Sequence, residues 1–351
     1  MENKPKDEME FSGRLALTCK YGENGYQVPA ALYEGGSEDP LALNKFQIVA
    51  GTEPSYNNLC DLDRLLQTVT HIAATFEINR GKTPFIAVGV KHGNSCGAAV
   101  AYDNPAEVAR KMIMGDPLAI FGGLVMVNYP VTEEVAEALV GFGMPEGQRR
   151  ILDGIIAPSF DPGGIGLFQR KGDKCRLLAN PALASLGKAS LDASPRYRYV
   201  RGGFLAQPNY TYILDLNDPE LKKNGQATPR QEDDMLIAKA ICDTSNSNTI
   251  TIVKNGQLIG NGVGQQARVR GAKLALNLVS YCGHDAKGAS ASSDSFFPFT
   301  DGVEVLAEAG IKAIMSTSGS VKDKDVIKFC EDKGIAFYLI PDKKGRGFFG
   351  H

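Results

Sequence analysis

The sequence predicts an α/β protein, and three observations carry that prediction. Short apolar runs of strand length alternate with longer stretches whose apolar residues recur at helical spacing. The first half of the 351 residues alternates in this way and the second half does so again, which allows two similar lobes. The composition, 43% hydrophobic and 22% charged, is that of an ordinary globular chain with enough apolar material for a large core.

The elements follow in order. Residues 15–17 read as a short strand, and Lys20-Tyr21-Gly22-Glu23-Asn24-Gly25 as a turn. Residues 61–74 place Leu62, Leu65, Leu66, Val69 and Ile72 on one helical face. The unbroken apolar run 85–90 predicts a buried strand. Residues 105–114 form a helix with Pro105 at its start. A strand over 121–127 follows, then a helix over 132–140 with Thr132 as N-cap and Glu133 and Glu134 in its first turn. Residues 155–158 end another strand, and the mixed stretch 181–203 reads as a connector. A helix over 233–243 precedes a hairpin, 249–253 with 258–259, turning at Asn255-Gly256. Gly260, Gly262 and Gly264 are expected to form a flexible loop, followed by a helix with Val269, Ala272, Leu276 and Val279 on one face. Helix 303–309, strand 311–315, helix 324–333 and strand 336–340 complete the series before a basic, aromatic tail ending at His351.

Composition also excludes classes of function. A net charge of −2 argues against a nucleic-acid partner while leaving room for a local anion pocket. No apolar run reaches the length of a membrane span, and the charged N-terminus lacks a signal-peptide core. The seven cysteines (Cys19, Cys60, Cys96, Cys175, Cys242, Cys282 and Cys330) form no C-x-x-C pair, so reduced thiols and a cytoplasmic location are expected. The four histidines, at 71, 92, 284 and 351, lack metal-ligand spacing, and no metal site is expected.

Chemistry concentrates at Lys91-His92, where the buried strand exits into a turn. Histidine can accept a proton from a nucleophile, and an adjacent lysine can stabilise a developing oxyanion or bind an anion; a capping His beside a surface Lys is the plainer alternative. Cys96, four residues on, could pair with His92 as a nucleophile, but a packing role fits its small-residue surroundings better. The glycine-rich run into Arg268 could form an anion site at a helix N-terminus, or be only a hairpin exit. The three phenylalanines in 293–301 could stack on a flat heterocycle, or pack in a core loop. Asp153 could hold a ribose, or close a turn. The tail's composition suggests docking, around a phosphate in the functional reading.

Taken in order, several segments resemble a known family. Lys20-Tyr21-Gly22-Glu23-Asn24, Ser55-Tyr56-Asn57-Asn58-Leu59-Cys60-Asp61 and Lys91-His92-Gly93-Asn94-Ser95-Cys96-Gly97 are followed by Phe121-Gly122-Gly123, Gly202-Gly203-Phe204-Leu205, Ser247-Asn248, the run 262–268 and the run 293–301. The series resembles the 5-aminoimidazole-4-carboxamide ribonucleotide (AICAR) formyltransferase domain of the bifunctional purine-biosynthesis proteins, from about Leu17 to His351. No segment resembles that family's cyclohydrolase domain, so the resemblance implies a stand-alone transformylase. It implies two cytidine-deaminase-like α/β lobes with mixed sheets, here 1–185 and 186–351. It also implies a homodimer with its active site at the interface, 10-formyltetrahydrofolate as cosubstrate, and no required metal.

Carried onto this sequence, the family's roles make His92 the general base and Lys91 the transition-state stabiliser, assisted by Asn248. Lys20, Tyr21, Gly122, Asp153, Asn248, Arg268, Phe296 and Arg346 are implied at the nucleotide, and Val269, Asp301, Ser320 and Val321 at the folate. Four departures stand out: Lys20 for the commoner arginine, which loses a bidentate fork; Ser95 for a proline; Thr300 for an arginine; and an altered tail. They keep two alternatives in view, a formyltransferase for another aminoimidazole acceptor and an inactive nucleotide- or folate-binding regulator. The missing H-x-E and P-C-x-x-C ligands argue against a zinc deaminase.

Overall fold

The computed structural model describes residues 7–350; residues 1–6 and the final tail residue His351 lie outside the described residues. Strand β1 (Arg14–Cys19) pairs with β2 (Ala30–Glu34) as a separate antiparallel ribbon. β3 (Gln47–Ala50) leads to α1 (Tyr56–Arg80). This helix begins earlier than the apolar spacing suggested, because Ser55 and Asn58 form a reciprocal capping box over its first turn. A hairpin of β4 (Phe85–Lys91) and β5 (Asn94–Ala101) comes next. It is followed by α2 (Pro105–Gly115), β6 (Leu124–Val127), α3 (Glu133–Val140), β7 (Gly154–Ala157), α4 (Pro162–Phe168) and β8 (Arg176–Ala179). The Thr132 hydroxyl caps α3 as expected, accepting from the Val135 N–H. β6 starts three residues later than anticipated, because Gly122 turns the chain with φ 72°.

The expected connector holds structure of its own, two 3-10 turns and a second exposed ribbon of β9 (Arg196–Val200) and β10 (Gly203–Gln207). β11 (Lys222–Asn224), α5 (Pro229–Asp243), β12 (Ile250–Lys254), β13 (Gln257–Gly262) and α6 (Arg268–Tyr281) follow. β14 (Ser290–Ser293), α7 (Asp301–Glu308), β15 (Ala313–Ser318), α8 (Asp323–Asp332), β16 (Ala336–Pro341) and the short α9 (Asp342–Gly345) complete the chain. Gly260 and Gly262 do not form a flexible loop. Both are buried in β13, and a Cβ on either would fall 2.4 Å from the Ala275 carbonyl oxygen or 2.1 Å from that of Gly271. These glycines let α6 lie directly on the strand.

Twelve strands make one mixed sheet in the order β11-β16-β15-β14-β12-β13-β5-β4-β6-β7-β8-β3. Each half of the chain contributes six, and outward from the β5–β13 seam the two series match: an antiparallel hairpin, an antiparallel neighbour, two parallel strands and an antiparallel edge. Strand side chains alternate between faces. Ile86, Val88 and Val90 pack with Leu65, Val69 and Ile72 of α1 and with Ile237 and Ile241 of α5. Ala87 and Ala99 face Val108, Met112 and Ile113 of α2. Helices α6, α7 and α8 cover β12, β14 and β15 through Ala272, Val303 and Val326.

Candidate active site

The β4–β5 turn is fixed from both sides. Lys91 pairs with Asn94, so His92 and Gly93 alone make the turn, with φ 53° and 74°. Two consecutive left-handed residues mark a type I′ hairpin, and histidine is one of the few side chains enriched in that region. Helix α1 grips the turn from one face, using residues one turn apart. The Asp61 carboxylate accepts the Gly93 N–H at 2.8 Å, and Arg64 Nε donates to the Gly93 carbonyl at 2.8 Å. Burial raises the Asp61 pKa; the Gly93 N–H, His92 and Arg64 oppose that rise. The imidazole of His92 is exposed. Lys91 Nζ donates to the Phe121 carbonyl at 2.6 Å, which aims the ammonium along the end of the sheet.

Lys91, His92, Asn94, Cys96, Asp116 and Ile259 line part of a cavity of about 260 Å³ at the seam between the halves. Cys96 donates to the Gly89 carbonyl, and burial pushes its thiol up to about 12, so it is a protonated packing group rather than a thiolate. Gly122 and Asp153 stand at the same end of the sheet, since Val90 pairs with Leu124 and Leu124 with Gly154. The Asp153 carboxylate accepts from Arg170 at 3.0 Å and remains half-exposed. Lys20 and Tyr21 are exposed on the turn after β1. Asn57, in the first turn of α1, donates to the Glu23 carbonyl of that turn at 3.3 Å, so the helix that grips His92 also holds the Lys20 turn.

A second cavity, about 480 Å³, brings Asn248, Arg268, Val269, Phe296, Asp301 and Arg346 together from four separate segments. Its floor is polar and largely paired within the protein. Arg268, the first residue of α6, donates to the buried Asp294 carboxylate, to Ser293 Oγ at 2.7 Å and to Asn248 Oδ1 at 2.8 Å. The Asn248 amide donates to the Gln265 carbonyl at 2.8 Å, leaving one of its two hydrogens. Arg346 lies over the Phe296 ring at 5.7 Å and pairs with Asp342 at 2.7 Å. Ser320 and Val321 do not line this cavity. Both follow β15, Ser320 bonding to Asp323 and Val321 being 98% exposed, although a Cβ at neighbouring Gly319 would meet the Phe296 ring at 3.8 Å.

Residues 245–248 link the cavities. Asn246 accepts from Arg64 at 2.8 Å and donates its N–H to Asn94 at 3.3 Å, while Ser247 and Asn248 line the second cavity. The tail docks here: Phe349 donates its N–H to the Ser245 carbonyl, and Ser247 donates to that of Gly350. Asp61, Arg64 and Arg196, whose guanidinium covers the Phe349 ring at 3.3 Å, are structural partners that sequence reasoning missed, and Asp294, a carboxylate of the run 293–301, pairs with Arg268. Asp61 ends the motif 55–61 and Arg64 lies one helical turn beyond it on α1. No group of three or more His, Cys, Asp or Glu side chains able to hold a metal occurs among the described residues, and no helix there is long and apolar enough to cross a membrane.

Comparison with known proteins gives this geometry a lineage. The family model AICARFT/IMPCHase bienzyme matches residues 1–278. The "Bifunctional purine biosynthesis protein PurH" of Anoxybacillus flavithermus is 35% identical over 330 residues, 93% of this chain and 58% of that protein. The proteins of the same name from Parvibaculum lavamentivorans and Rhodopirellula baltica are each 33% identical, over 95% and 98% of this chain and 59% and 60% of their own lengths. The chain thus spans somewhat more than half the length of these relatives. It belongs to the AICARFT/IMPCHase bienzyme family.

Proposed function

We propose that this chain transfers a formyl group from 10-formyltetrahydrofolate to the 5-amino group of AICAR, a step of purine biosynthesis. The observation that carries the reading is convergence. Residues scattered from Lys91 to Arg346 line two cavities joined by residues 245–248. The second cavity suits both ligands in kind: Phe296, Pro298, Phe299 and Val269 offer faces to a flat ring, and Arg268, Arg346 and Asp301 offer charge at its edges.

The acceptor amine is conjugated with its heterocycle and is a weak nucleophile, so it must lose a proton as it attacks. His92, exposed at the tip of a clamped turn, takes that proton. Negative charge develops on the formyl oxygen. Lys91, with one of its three hydrogens committed to Phe121, and the spare Asn248 hydrogen stabilise it. As the oxyanion collapses, the bond from the formyl carbon to N10 of the folate breaks, and His92 returns its proton to N10 as tetrahydrofolate leaves. Arg268 and Arg346 bind nucleotide anions, Phe296 and Gly122 flank the base, Asp153 meets the ribose, and Lys20 and Tyr21 close the nucleotide site from the β1 turn. Val269 and Asp301 face the folate from the second cavity, and Ser320 and Val321 flank it from the exposed loop after β15, outside that cavity; the folate supplies the formyl group when bound. Holding both reactants together contributes much of the remaining rate.

We assign residues 1–185 and 186–351 to two cytidine-deaminase-like lobes; the matching six-strand series supports that division. A homodimer in the cytoplasm, with the site completed across its interface, follows the same reading. The test is release of tetrahydrofolate by the purified chain with and without AICAR. AICAR-dependent release supports the proposal. Release only with a different aminoimidazole ribonucleotide would reassign the acceptor, and tight binding of both ligands without turnover would make the chain a binding protein.

A further inference from the structure

We infer that Arg64 is a positioning residue that locks the C-terminal tail to the His92 turn, so that the two cavities are organised together. One guanidinium reaches three segments far apart in sequence. Its Nε donates to the Gly93 carbonyl at 2.8 Å, and an Nη donates to Asn246 Oδ1 at 2.8 Å. Its plane also lies over the Phe349 ring at 3.9 Å. Arg196, from the β9–β10 ribbon, covers that ring at 3.3 Å. Two cations flanking one ring repel each other; the quadrupole of the ring and the carboxylates of Asp61 and Asp63 offset the repulsion.

Geometry makes the lock directional. Gly93 is the other residue of the two-residue turn, so a shift of its carbonyl displaces the turn that carries the imidazole. Asn246 precedes Ser247 and Asn248, so the same shift reaches the floor of the second cavity. Phe349 is three residues from Arg346, and its N–H and the Gly350 carbonyl bond to residues 245 and 247. A docked tail fills the ring position under Arg64. A released tail leaves the guanidinium with no stacking partner and the Gly93 carbonyl with a looser donor. Lysine cannot replace it, because an ammonium lacks the planar fork that serves two acceptors while stacking on a ring.

The catalytic consequence rests on the formyl-transfer reading; the coupling does not. Amide hydrogen exchange on the full-length wild type, Arg64→Met, Arg64→Lys and Phe349→Leu reads the lock without any ligand. Each variant is expected to speed exchange about tenfold or more both in residues 92–95 and in residues 345–350, with the rest of the sheet unchanged. Formyl transfer is then followed at varied AICAR. Arg64→Met and Phe349→Leu are expected to lower kcat about tenfold to a hundredfold, with a smaller change in KM, because His92 is misplaced rather than substrate binding lost. The double variant is expected to be no worse than the poorer single one. Exchange that quickens at one segment only, full rescue by lysine, or additive losses would overturn the lock. If Phe349→Leu folds where Arg64→Met does not, its exchange at residues 92–95 decides alone. Absence of transfer by the wild type would instead overturn the formyl-transfer reading and leave the exchange result to stand for itself.

Discussion

The β4–β5 and β12–β13 hairpins sit side by side at the centre of the sheet and are built to one plan. Each turns in two residues, both with positive φ: His92 at 53° and Gly93 at 74°, Asn255 at 53° and Gly256 at 72°. Each turn is held by an aspartate five positions past the start of the preceding helix, Asp61 in α1 and Asp234 in α5. Asp234 accepts both turn amides, at 2.9 and 2.7 Å, whereas Asp61 accepts only that of Gly93 and Arg64 takes the carbonyl. Asn-Gly is what this turn favours on backbone grounds alone. His-Gly gives the same backbone with a titratable side chain at the tip. The second hairpin therefore serves as an internal control: the shared features belong to the fold, and the histidine and the Arg64 clamp are what the first hairpin adds.

Exchanging the tip residues is the sharpest way to break this comparison. His92→Asn gives the first turn the sequence of the second. The hairpin is expected to stay folded, with stability changed by less than about 1 kcal/mol, while formyl transfer falls by roughly a hundredfold to ten-thousandfold, the usual contribution of a positioned base. The reciprocal Asn255→His is expected to leave transfer within about twofold of wild type. Thermal unfolding and the tetrahydrofolate assay measure both. Retained activity in His92→Asn would remove the base assignment, and a large loss in Asn255→His would show that the second turn is more than scaffold.

The clamps give the next largest effect. Asp234→Ala strands two backbone donors, one of them fully buried, and each unpaired donor costs about 1–3 kcal/mol. A loss of roughly 2–4 kcal/mol is expected in urea unfolding. Asp61→Ala strands one donor at a more exposed turn and is expected to lose about half as much, yet to reduce transfer more than Asp234→Ala does. Equal losses of activity would mean that Asp61 supports only the fold.

Most of the architecture was legible from periodicity, and what escaped has identifiable physical causes. β14 is Ser-Ala-Ser-Ser, fully buried but without an apolar signature, because two of its hydroxyls are satisfied by backbone outside the strand: Ser290 donates to the Gln231 carbonyl of α5, and Ser293 to that of Ser295 in the following loop. β13 reads as a glycine loop, because the residue that permits flexibility also permits a helix backbone to press on a strand. At the site, Lys91, His92, Asn248, Arg268, Phe296 and Arg346 could be picked out by residue type and motif. Asp61 and Arg64 could not, since an aspartate and an arginine three apart on a helix are usually a solvated pair. Only the folded turn shows that both reach Gly93.

The helices behind the two hairpins supply the smallest of these effects. α1 and α5 pack against each other, with Thr68 and Thr244 hydroxyls 2.9 Å apart at the buried contact. His71 of α1 is 1% exposed, bonds the Gln67 carbonyl at 2.7 Å through Nδ1 and stacks on Tyr210. Burial, aided by Lys239 of α5, lowers its pKa to about 4. An unfolded histidine titrates near 6.5. Between those values the unfolded chain binds the extra proton, so stability falls as pH drops through the window, by about 2 kcal/mol from pH 7 to pH 5. Asp243, raised by burial to about 6 and bonded to Lys239 and Tyr210, acts in the opposite sense, holding a proton in the folded state between its unfolded pKa and 6. The total curve is therefore flattened, and the His71 contribution is read as a difference. His71→Gln keeps a donor for Gln67 without the titration. Its stability relative to wild type is expected to improve by about 2 kcal/mol as pH falls from 7 to 5. Parallel curves would mean that His71 takes up its proton equally in both states, and that the α1–α5 contact joining the halves opens to water more readily than its burial indicates.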